Sequence, residues 1–192
     1  MKIKALFMAI FFVAAIFGGC EKSNDVLQED DYSTLKKKPV ERPFKIHGTS
    51  VATSGGDKCG PDLDGDGILD GRTLEYEGKG NASHMGRVTY TGLNCSVKLC
   101  EECDRCLVGH LTVTAANGDI VYLVGGPDYT ICPVDPPRPL TIAWAGPGYI
   151  DGGTGRFEGA TGTLEWYLVL DLDPESPGFG TVDMNAEGTI VY

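Results

Sequence analysis

Residues 164–171 read LEWYLVLD: Leu164, Trp166, Leu168 and Leu170 alternate with Glu165, Tyr167, Val169 and Asp171. A period of two puts each set on one face of a pleated strand, an arrangement that a helix does not produce. Other short β-rich runs occupy residues 45–53, 87–92, 110–114, 120–124, 140–145 and 189–192, with no long helical periodicity between them. Asn117-Gly118 stands between two such runs and reads as a type I′ hairpin turn. The chain contains 27 glycines, and glycine-rich turns joining many short strands point to an all-β sandwich or barrel.

The first 20 residues are of a different kind. Lys2 and Lys4 precede an uncharged, almost wholly apolar run over residues 5–17, and Gly18-Gly19-Cys20 follows. This is the pattern of a secretory signal, with an apolar core too short for a comfortable membrane span. The small residues ending on a cysteine resemble the lipobox of bacterial lipoproteins, although Phe17 stands where that pattern usually has an aliphatic residue. The resemblance implies cleavage after residue 19 and acylation of Cys20. Several acyl chains make a stable anchor where one is marginal. Residues 21–43 are polar and charged, too poor in apolar surface to fold, and read as a flexible tether. An acidic stretch at residues 29–31 resembles the surface-export signals of some diderm bacteria. The expected organisation is a signal peptide over 1–19, a lipid-anchored tether over 20–43 and a β-domain over 44–192. The expected address is the bacterial cell envelope, at the outer membrane and exposed on the surface.

Loss of residues 1–19 removes Lys2 and Lys4 and takes the net charge from −11 to −13. So acidic a chain has no general basic surface for nucleic acid or anionic lipid.

Three segments carry a more specific signal: LTVTAANGDIVYLVGG from residue 111, GGTGRFEGATG from residue 152 and the terminal EGTIVY. They resemble the allene oxide cyclase and dirigent barrel superfamily, and its bacterial secreted members in particular. The resemblance covers roughly residues 41–192 and implies an eight-stranded antiparallel barrel. Plant relatives use the barrel cavity to steer cyclisation or radical coupling. No catalytic residues carry over, because no matching polar constellation aligns. Five glycines in the eleven residues 152–162 permit tight backbone approach, and Phe157 is placed to plug one end of the barrel. Trp144 and Trp166 read as core, and Arg156 with Glu158 as a surface ion pair.

Residues 55–86 read as an insertion carrying a calcium loop. Asp62, Asp64, Asp66 and Asp70 occupy positions 1, 3, 5 and 9 of such a loop, with Gly67 at the sharp turn and Ile68 offering its carbonyl. Leu69 is expected to tuck inward. Thr73 replaces the bidentate acid at position 12, and Glu75 or Glu77 substitutes only if the loop rearranges. The spacing resembles EF-hand, dockerin and thrombospondin type 3 loops, without flanking helices.

Residues 95–106 hold Cys95, Cys100, Cys103 and Cys106, and the chain has three other cysteines: Cys20, Cys59 and Cys132. Cys95, Cys100, Cys103 and Cys132 have a spacing like that of plant-type ferredoxins, and zinc is a further reading. In an oxidising compartment, with Cys20 acylated, six cysteines remain and disulfides are expected, Cys59 and Cys132 pairing with members of the cluster.

His47, His84 and His110 lie in separate segments, and no hydrolase, metalloprotease or phosphate-loop motif appears. The expected function is non-catalytic: a lipid-anchored barrel binding a small apolar ligand or an envelope partner. Two alternatives are a cyclase or dirigent-type enzyme and a calcium-dependent surface interaction protein.

Overall fold

The computed structural model describes residues 38–62, 64–98, 105–125 and 131–192. The signal segment, Cys20, most of the tether, Cys100 and Cys103 lie outside the described residues. The strands are β1 (Glu41–Cys59), β2 (Gly71–Ala82), β3 (Gly86–Lys98), β4 (Arg105–Ala115), β5 (Ile120–Gly125), β6 (Cys132–Val134), β7 (Thr141–Gly153), β8 (Thr161–Asp171) and β9 (Thr181–Val191). They form one antiparallel sheet in the order β5-β4-β3-β2-β1-β9-β8-β7, which closes on itself through β5–β7 pairing. The result is an eight-stranded antiparallel barrel. The three-residue β6 is an accessory strand. It pairs with β7 through Cys132 and Ala145, and the neighbouring Ile131 bridges to Leu107 on β4. β5 and the 131–134 segment thus share one lane between β4 and β7. Cys106–Cys132 links β4 to β6 across this lane, and Cys59–Cys95 ties the end of β1 to β3. By chain entropy alone, loops of 36 and 26 residues make these crosslinks worth roughly 3.5–4 kcal/mol each.

β2 is absent from the sequence pattern for a physical reason. Its inward positions include Gly78 and Gly80, while Glu75, Glu77 and Lys79 face solvent. The space that β-branched residues fill elsewhere is occupied by a neighbour. A Cβ on Gly78 would lie 2.3 Å from the Tyr90 ring and one on Gly48 2.8 Å from its hydroxyl. β9 hides for the same reason: Ala186 and Gly188 stand at inward positions between Met184 and Ile190. The irregular part of the proposed 55–86 insertion is accordingly limited to residues 60–70.

The turn at Asn117-Gly118 is not type I′. Gly118 alone has positive φ there, at 89°, and Gly118 N–H donates to Ala115 O at 3.0 Å while Ala115 N–H donates to Asp119 O at 2.9 Å. This is a three-residue loop with the glycine in its left-handed position. The Asn117 side chain accepts from Asp119 N–H at 3.2 Å and stays within the turn.

One end of the barrel is solid. Phe44, Ile46, Val88, Val113, Ile190 and Phe157 are buried there. Phe157 leaves a 3₁₀ turn (Gly155–Phe157) between β7 and β8, is wholly inaccessible to solvent and meets Tyr192 edge-on at 4.9 Å. Arg156 stacks on the Phe157 ring at 4.8 Å and its Nε lies 3.3 Å from Asp119 Oδ2. The expected Arg156–Glu158 pair is therefore replaced by one between turns. Arg156 also donates to the His84 carbonyl in the β2–β3 turn, so a single guanidinium joins three turns over the plug. Gly155, at φ 62°, is required here because a Cβ would fall 2.0 Å from Asp119 Oδ1. Phe157→Ala is expected to lower unfolding stability by about 3–5 kcal/mol, since it opens a cavity at the plug. Chemical denaturation checks this, and a loss under about 1 kcal/mol would place the ring outside the core.

Candidate ligand cavity and acidic loop

Opposite the plug, where β1, β3, β5 and β8 end and β2, β4, β7 and β9 begin, the barrel is hollow. A cavity of about 260 Å³ is lined there by residues of every long strand. The wall from β4 to β9 is apolar, formed by Leu107, Leu111, Leu123, Leu168, Val182 and Met184 together with Trp144 and Trp166. Trp144 and Trp166 are the two tryptophans of the chain. Both were expected in the core. Trp166 is nearly buried and Trp144 only partly, and both face the cavity. The β1–β3 wall instead carries the hydroxyls and amide of Ser50, Tyr76, Asn94 and Ser96. His110 borders the cavity, but its neighbours Gly109 and Leu111 hold the inward positions of β4 and its ring lies on the exposed face.

Two aromatic side chains are set by missing Cβ atoms. A Cβ on Gly92 would lie 2.3 Å from the Tyr76 hydroxyl, and one on Gly148 2.2 Å from Trp166 Nε1. Tyr76 donates to Asn94 Oδ1 at 3.4 Å, the long limit of a hydrogen bond. Desolvation inside the barrel pushes the Tyr76 hydroxyl well above the ordinary phenol range, against the smaller opposing effect of Asn94. Burial likewise raises Tyr90 to about 12, with the Asp183 charge adding to it. Both phenols are therefore neutral at physiological pH. Tyr90 Oη and Trp166 Nε1 are buried without a protein hydrogen-bond partner. At the rim, Asp171 binds Arg138 at 3.0 Å, the Ser176 hydroxyl at 2.6 Å and Asp173 N–H at 3.0 Å. The Ser176 and Asp173 hydrogen bonds and the Arg138 guanidinium hold its carboxyl below the usual carboxylate range. This knot fixes the 172–180 loop beside Gly180, a lining residue.

The acidic loop joins β1 to β2 on the surface. Asp70 N–H donates to Pro61 O at 3.0 Å and closes its base. Asp62 accepts from Gly65 N–H at 2.7 Å and from Gly67 N–H at 2.8 Å, and the Gly67 bond is the main cause of its lowered pKa. Carboxylate oxygens of Asp62, Asp64 and Asp70 lie within 4.8 Å of one another, a set able to coordinate a metal ion. Asp66 is not part of that set and caps Ile68 N–H at 2.7 Å. The Ile68 side chain is exposed. Leu69 does not tuck inward: it is 41% exposed, because strands rather than helices flank the loop and offer it no apolar surface. Thr73 lies in β2 opposite Cys95, and Glu75 accepts from the Ser54 hydroxyl on β1, so neither reaches the loop.

The expected cysteine partners are found. Cys59 pairs with Cys95 and Cys132 with Cys106. Cys95 and Cys132 are therefore not free to serve the ferredoxin-like ligand set.

No family model matches the chain, and no curated protein matches it. Among solved structures, it is similar to a pterocarpan synthase dirigent protein, with a TM-score of 0.51 and 14% identity over 81% of this chain and 92% of that one. At that identity the likeness is one of fold. It agrees with the barrel resemblance carried by residues 111–126 and 152–162.

Proposed function

We propose that this chain is a lipid-anchored envelope protein whose barrel binds a small apolar molecule. The cavity carries this reading: about 260 Å³ of space with a mainly apolar lining, behind a rim fixed by Asp171. An engineered apolar cavity of about 150 Å³ accommodates benzene, so this one suits a body of one to two rings. Binding is favoured over cyclase or dirigent-type catalysis by the lining. Among the described residues it includes no carboxylate, lysine or arginine.

The anchor rests on the apolar run ending in Gly18-Gly19-Cys20. The metal at the acidic loop is calcium, by the hard oxygen donors on alternate residues. Its role is to order the β1–β2 connection.

Three outcomes are expected. Because both tryptophans face the cavity, decalone should shift or quench intrinsic emission saturably, and a purely linear response would remove the ligand-binding reading. Cys20→Ser should move the full-length protein from the detergent phase to the aqueous phase on partitioning, and unchanged partitioning would remove the anchor. Calcium at ten times a Kd on the order of 10⁻⁴–10⁻³ M adds about 1.4 kcal/mol, or a Tm rise of about 3–5 °C. Asp64→Asn with Asp70→Asn should abolish that rise, and calorimetry without calcium heat in the wild type would end the assignment.

A further inference from the structure

The polar groups of the cavity are asymmetric in place and in kind. Apart from the indole nitrogens, the side-chain polar atoms that line it come from β1–β3, facing an apolar wall across the barrel. Trp166 Nε1–H, a donor only, is buried without a protein acceptor, and the Tyr76 hydroxyl reaches its acceptor, Asn94 Oδ1, only at 3.4 Å. A donor held as loosely as the Tyr76 hydroxyl is readily transferred to a better-placed acceptor, so an acceptor is the missing chemistry on the β2–β3 side of the cavity. A formal charge on the ligand finds no counter-charge among the described lining side chains, so an ion would be desolvated without compensation.

Resting on the cavity-binding reading, we propose that the ligand is an uncharged apolar molecule of about two fused rings with an acceptor oxygen, and that Tyr76 selects it by donating a hydrogen bond to that oxygen. The apolar body lies against Trp144, Trp166 and Leu168, and the oxygen turns toward β2 and β3. Burial of the phenol keeps the donor protonated throughout the neutral range.

Three probes of equal size and different polarity test this: decalin, decalone and decalin carboxylate. Titration is followed by intrinsic tryptophan emission of the full-length protein, corrected with free tryptophan for the weak ketone absorption and quenching of decalone. Wild type should bind decalone about five- to tenfold more tightly than decalin, the ratio of one neutral hydrogen bond, and the carboxylate most weakly. Tyr76→Phe should bring decalone down to the affinity of decalin while leaving decalin unchanged, which also shows that the variant is folded and its cavity intact. Equal binding of decalin and decalone by wild type overturns the proposal, even if the variant fails to fold. So does a decalone preference that survives in Tyr76→Phe, or tightest binding of the carboxylate. In each of these cases the cavity still binds ligand. If none of the three perturbs the emission, the cavity reading itself falls, and the proposal with it.

Discussion

Closure of the sheet between β5 and β7 is the constraint on which the rest of this structure depends. An open antiparallel sheet of this length would expose two edges of unpaired backbone groups, and closure abolishes both. β5 has only six residues, however, against thirteen in β7, so it covers only part of the seam. The remainder is covered by Ile131 and β6, and Cys106–Cys132 holds that patch to β4. Leu107 and Ile131, which flank these cysteines, also line the cavity. Sealing the seam and walling the cavity are thus the same event in the fold.

Once the sheet is closed, interior volume must be apportioned. At the plugged end Phe44, Ile46 and Phe157 fill the barrel directly. Further along, large aromatics alternate with bare backbone: Tyr90 against Gly48 and Gly78, Tyr76 against Gly92, and Trp166 against Gly148. Each glycine admits a ring that a Cβ would displace, so aromatic groups sit against the barrel wall. Around the cavity, the small residues Ser50, Ala52, Gly109, Gly125 and Gly180 are interspersed among the larger lining side chains, and space remains. The hollow end thus follows from residue sizes along the strands, with no need for a distorted sheet.

The termini and turns divide the remaining tasks. Arg156 concentrates three turns into one contact at the plugged end, which explains why the glycine-rich segment is both the most distinctive stretch of sequence and a structural corner. The acidic loop lies at the other pole of β1, where backbone N–H groups of Gly65 and Gly67 already stabilise Asp62 as a carboxylate. Asp64 and Asp70 are brought beside it, and the three carboxylates form a set able to coordinate a metal ion. The Cys59–Cys95 crosslink holds the entry to this loop on β3.

The sequence by itself determined the all-β class, the glycine-rich corner around Phe157, the acidic loop and the pairing of Cys59 and Cys132 with the cysteine cluster. Each of these is written in local signals: alternation, glycine spacing, carboxylates on alternate residues, and cysteine parity. The strand pattern left sandwich and barrel open, and the barrel was implied only by the family resemblance of residues 111–126 and 152–162. Tertiary structure alone decided what those signals do not contain. β2 and most of β9 were illegible because glycine and alanine stand among their inward residues, where the space is taken by the Tyr90 ring at Gly78 and by the β8 backbone at Gly188. Arg156 was read against Glu158, its near neighbour, whereas its partner Asp119 is brought from another turn by barrel closure. Tyr76 and Asn94 carried no motif at all, since they stand eighteen residues apart and meet only through the β2–β3 register. The cavity was equally invisible, because a hollow depends on the difference between enclosed space and the side chains pointed into it, and that difference exists only after eight strands have closed.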